Sequence, residues 1–127
     1  MRKIKFRAWN SEKKTMRIHD VVVCNGKQVI PVQTSGNDYW DATWEECENI
    51  LMQFTGLKDK NGVEIYEGDI VKANINNVVS IGKVVYIDDW AMFQTEFTIG
   101  NIGRYNCYEA DEVIGNIYEN PELLDKD

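Results

Sequence analysis

Residues Ile4-Lys5-Phe6-Arg7-Ala8-Trp9 alternate Ile, Phe and Ala with Lys, Arg and Trp, the period-2 pattern of a strand with two unlike faces. The polar run Asn10 to Lys14 follows as turn material and Thr15 to Val23 reads as a second strand, so the pattern predicts an N-terminal hairpin. Asn25-Gly26 signals a tight reversal, because both residues tolerate positive φ, with Lys27 to Val32 as the returning strand. Thr34 to Asp38 is unpatterned and marks a surface loop or subdomain boundary. Over Asp41 to Asn49, Thr43 followed by Glu46 matches a capping box and admits a short helix. Leu51 to Thr55 is a predicted strand ended by Gly56.

The second half is punctuated by turns at closer spacing. Asp59 to Gly62 is a turn, and Glu67-Gly68-Asp69 is a second one that launches the strand Ile70 to Ile75. Asn76-Asn77 can reverse the chain into a long strand, Val78 to Ile87, in which Gly82 predicts a bend or bulge. Asp88-Asp89 makes the next turn. Trp90 to Phe97 and Arg104 to Tyr108 are strands around the Gly100–Gly103 loop, and Asp111 to Tyr118 is the last strand. Pro121 after Asn120 fits the first position of a short helical tag. Short strands with Gly-rich turns predict a mainly β protein, a small barrel or sandwich, with one or two short helices. The division expected is an N-terminal β-hairpin subdomain over 1–50 and a barrel over 51–127.

Composition narrows this picture. A chain of 127 residues, 43% hydrophobic, with four Trp, six Tyr and four Phe, suits one domain or a domain with a small subdomain. Cys24, Cys47 and Cys107 are odd in number and widely spaced, which suits free thiols in a reducing compartment better than a disulfide or zinc framework. The basic N-terminus has no apolar run behind it, and no stretch has the length to span a bilayer. A soluble cytoplasmic protein without membrane partners is expected. The net charge of −7 disfavours a broad grip on duplex DNA. Its distribution says more: residues 1–17 hold seven basic residues and one acid, net +6, and the remainder holds seven basic and twenty acidic, net −13. A basic edge on one copy could meet an acidic face on the next. Arg2, Lys3, Lys5, Arg7, Lys13, Lys14 and Arg17, with Trp9 among them, are thus the candidate contact surface for a protein partner or, alternatively, a nucleic acid. The simpler account is a solvated edge strand protected by Lys.

Three stretches resemble the YopX family of phage and prophage proteins. They are Arg2-Lys3-Ile4-Lys5-Phe6-Arg7-Ala8-Trp9, the block Gln53 to Val71, and Val113 to Leu124. The segment from Cys24 to Glu48 has no counterpart and suits a variable insertion. The resemblance implies an SH3-like barrel in the C-terminal half, a smaller N-terminal β element, a prophage gene in a bacterial host and homo-oligomeric assembly. It implies no defined activity. Within these stretches Gly56, Gly62 and Gly68 fall where turns need positive φ, and Asp59 and Asp69 can cap those turns.

Chemistry is sparse. His19 is the one histidine, and on a shared strand its odd spacing from Cys24 puts the two on opposite faces, so no Cys–His dyad is indicated. Asp88-Asp89 and Glu109, Asp111 and Glu112 could hold a divalent ion, yet acids are expected at turns. No phosphate loop, nucleophile elbow or dinucleotide fingerprint is present, and no catalytic residue, metal or cofactor is assigned. The aromatics beyond Trp9 sit among acids. Core packing or a subunit interface accounts for them, and Trp40 and Trp44, four apart, could present one face to a partner. The expectation is a non-enzymatic binding or assembly module contacting itself, or a phage or host protein. A nucleic-acid accessory protein or a carboxylate-dependent metal enzyme is the alternative.

Overall fold

The structure, a computed structural model, describes residues 4–17, 22–24, 27–30, 45–46, 49–106 and 112–125. Among the described residues twelve strands follow in order: β1 Phe6–Asn10, β2 Thr15–Arg17, β3 Val22–Cys24, β4 Lys27–Ile30, β5 Glu45–Glu46, β6 Asn49–Lys58, β7 Glu64–Tyr66, β8 Asp69–Ile75, β9 Val78–Ile87, β10 Met92–Ile99, β11 Gly103–Asn106 and β12 Glu112–Asn116. Single 3-10 turns occupy Asp88–Trp90 and Pro121–Leu124. Among the described residues no helix is long and apolar enough to cross a membrane. The chain divides into two compact units, Lys5–Met52 and Met1–Ile4 with Gln53–Asp127.

In the first unit β1 and β2 pair antiparallel, with Trp9 opposite Met16 and Asn10 opposite Thr15. Asn10 makes the turn, its Oδ1 accepting the N–H groups of Glu12 and Lys13 at 3.0 and 2.9 Å. β3, β4 and β5 form a separate small sheet in which Cys24 faces Lys27 across the predicted Asn25-Gly26 reversal, itself outside the described residues. Within the strand expected over Thr15 to Val23, β2 and β3 pair with different partners, and residues 18–21 lie outside the described residues. One expectation changes here. Glu45–Glu46, in the ambiguous stretch that admitted a short helix, instead pairs with Val29 and Ile30 of β4. A single helical turn pays nucleation entropy for few bonds, whereas an open strand edge offers ready partners.

The larger unit is a five-stranded antiparallel sheet, β11-β10-β9-β8-β12, bent into a half-barrel, onto which the β6–β7 hairpin is laid. Register shifts between Phe97 and Ile99 and between Val113 and Gly115 supply bends. The inner face follows from strand alternation. Val71 and Ala73 of β8, Val84 of β9 and Phe97 of β10 bury against Ile65 of β7, with Ile75, Phe93 and Val113 around them. Thr55 fastens the hairpin by donating from Oγ1 to the Ile65 carbonyl at 2.7 Å. Gly56 does not end its strand. β6 continues to Lys58 through a register shift in which Gly56 takes φ 90°. The β8–β9 reversal has Asn76 and Asn77 both at positive φ, 51° and 66°, as a two-residue primed turn requires.

Candidate functional site

The basic N-terminal strand is the first candidate, and its residues separate. Lys13 and Lys14 are exposed in the β1–β2 turn, and Lys5 is half-buried. Arg7 and Trp9, expected on an outward face, are both 7% exposed, and Arg7 Nη2 lies 3.6 Å from Met52 Sδ. Alternation fails because Arg7, Ala8 and Trp9 are buried in succession while Ile4 is 65% exposed. β1 is covered on both sides, and Arg can follow its neighbours inward by laying its stem along apolar surface. Arg7 and Trp9 therefore leave the contact surface, and with them goes the pairing of base-stacking Trp and phosphate-binding Arg that a nucleic-acid site on this strand would use. Arg17 ends β2 opposite Ala8. Arg2, Lys3, Trp40, Trp44, His19, Cys47 and Cys107 lie outside the described residues.

The turn residues of the central block form a hydrogen-bonded hub. Gly56, Gly62 and Gly68 take φ of 90°, 83° and 88°. Asp59 is buried, and its Oδ1 accepts the N–H groups of Asn61 and Val63, each at 2.8 Å, while Oδ2 accepts that of Val113 at 3.0 Å. Burial acts to raise the Asp59 carboxyl, but the N–H groups of Val113, Val63 and Asn61 and the charge of Lys60 outweigh it, so it titrates below the ordinary aspartate range. Asp69 is buried likewise and accepts the Tyr66 N–H at 2.7 Å. Carboxylates held this way by backbone donors are set up to fix loops.

Among the described residues the proposed acidic metal positions do not converge. Glu112 faces Lys60 at 3.8 Å, Asp88 and Asp89 stand in their own 3-10 turn, and Glu109 and Asp111 lie outside the described residues. Among the described residues no three His, Cys, Asp or Glu side chains group as a metal site.

The feature that sequence reasoning misplaced is the end of the β9–β10 hairpin. Trp90 was expected to open a strand. It stands instead in the 3-10 turn Asp88–Trp90, 57% exposed, and none of that turn's residues is buried. Ala91 follows in the left-handed region at φ 49°, a conformation that costs an L-residue about 1–2 kcal/mol. Tyr86 pairs with Phe93 and Met92 with Ile87, so Tyr86 and Met92 are exposed on opposite faces of the hairpin, and the Tyr86 ring meets Phe93 edge-on at 5.1 Å. Neither Asp88 nor Asp89 has an ion-pair partner among the described residues. An exposed Trp directly after two carboxylates makes a surface suited to a cationic partner. Two adjacent acids directly before a Trp were the available signal, since polar turn residues pull a neighbouring aromatic out of the strand.

Comparison with known proteins agrees with this architecture. The chain is similar to protein EF1440 from Enterococcus faecalis, whose crystal structure it matches at 33% identity and TM-score 0.66 over 98% of this chain and all of that one. It shares its fold with protein yopX from Bacillus subtilis, at 22% identity and TM-score 0.55 over 98% and 100% of the two chains. No curated protein matches it. The family described as YopX protein matches residues 5–125, nearly the whole chain, and the protein belongs to the YopX family.

Proposed function

We propose that this chain is a phage- or prophage-encoded binding and assembly module that acts in the host cytoplasm through protein–protein contacts and self-association rather than catalysis. The half-barrel is read as an SH3-like barrel that serves as a rigid platform. The observation that carries the proposal is the β9–β10 hairpin end, where a Trp 57% exposed directly follows Asp88 and Asp89. An aromatic ring held in water beside two acids is a surface that a cationic partner covers favourably. Support also comes from the charge split, +6 over residues 1–17 and −13 over the rest, which makes copies of the chain electrostatically complementary to each other. Size-exclusion chromatography with light scattering, in low and high salt, tests this. An oligomer that shifts towards monomer as salt screens its contacts is expected. A monomer at micromolar concentration in low salt would overturn self-association.

A further inference from the structure

We infer that the end of the β9–β10 hairpin docks the Lys13-Lys14 turn of a second copy, joining copies head to tail. This rests on the self-association proposed above and assigns its two surfaces. On one side stands Trp90, exposed, with Asp88 and Asp89 lacking ion-pair partners among the described residues. On the other, Ser11 to Thr15 are all exposed. That turn is fixed by two N–H bonds to Asn10 Oδ1, and Lys14 is held at φ 53°. Both surfaces are therefore preorganised loops, which lowers the ordering entropy that binding must overcome.

Their chemistry is complementary. A Lys ammonium over the indole face gains a cation–π contact, the two carboxylates answer the charge of Lys13 and Lys14, and an aliphatic Lys stem can lie along the exposed Trp90 ring. Glu12 is the one acid in the basic turn, and it leaves Lys13 and Lys14 in excess. A polyanion is the wrong occupant for the hairpin end, since Asp88 and Asp89 repel phosphate. Because the two surfaces differ, the contact is heterologous, and every bound copy still presents one surface of each kind. Such contacts close into rings or extend as filaments, not symmetric dimers.

The test is a charge swap in the full chain, read by sedimentation or light scattering. Asp88→Lys with Asp89→Lys, and separately Lys13→Glu with Lys14→Glu, should each weaken association by about tenfold or more. All four changes combined in one chain should restore it to within about threefold of the parent. Circular dichroism melting confirms folding, and Asp88→Asn with Asp89→Asn serves if the reversal unfolds the hairpin. Variants that associate like the parent, or a fourfold variant that stays dissociated, would overturn these surfaces while leaving self-association standing. A parent chain monomeric at every concentration would overturn both.

Discussion

A carboxylate taken out of water is stable only where donors replace the water it loses, and Asp59 has three backbone donors arranged around it. Asp59→Ala leaves the N–H groups of Asn61, Val63 and Val113 without that acceptor, at a cost of about 2–4 kcal/mol, read as a lower urea midpoint. Asp59→Asn keeps one acceptor and turns the other oxygen into a donor that can face the Val113 N–H. The sign with pH follows from the depressed folded value. Asp59 contributes stability above the ordinary aspartate value, and that contribution is lost as pH falls through the folded value. The parent and Asp59→Asn should thus differ most near neutral pH and converge in strong acid, in urea melts run across pH. Half of this site was legible. Asp followed by Asn-Gly announces a capped turn, but nothing local announces a bond to Val113, 54 residues away.

Elements show where alternation informs and where it misleads. β9 runs from Val78 to Ile87 as its pattern predicts, because one face packs on a core and Asn76-Asn77 and Asp88-Asp89 bound it. β1 breaks its pattern because both its faces are covered, and periodicity cannot distinguish a covered polar residue from a solvated one. Gly82 was read as a bend or bulge, and the register shift between Phe97 and Ile99 falls opposite it. It is also a close approach, since an added Cβ would sit 2.6 Å from Phe97 Cα and also clash with the Glu96 carbonyl. Gly62 has open space around it but a φ of 83°. Two Ala substitutions therefore separate packing from conformation. Gly82→Ala should cost about 1–3 kcal/mol by forcing β9 and β10 apart, with faster amide exchange along both strands. Gly62→Ala should cost about 1 kcal/mol from the left-handed backbone alone and leave exchange in β9 and β10 unchanged. Equal costs with equal exchange would contradict this division.

For the whole molecule, the charge map was fully legible and the use made of it only partly so. The +6 and −13 division is a property of the chain, but which charges face water depends on tertiary burial, and Arg7 was lost to it. Trp90 moved in the opposite sense, from an expected strand to an exposed turn beside Asp88 and Asp89. The strand order β11-β10-β9-β8-β12 also lay beyond local signals, because β12 reaches β8 across the intervening hairpins and no turn motif records that return.

The Asp59–Val113 bond has a consequence for how the protein is made. Synthesis proceeds from the N-terminus, so the β6–β7 turn emerges with two of its three donors long before the third exists. Until Val113 leaves the ribosome the carboxylate must keep its remaining oxygen hydrated, and the Asp59 turn cannot close over it. Nascent chains arrested just before and just after that residue should therefore differ sharply in protease resistance, and a gradual rise with length would show that β12 is not the step that completes the fold.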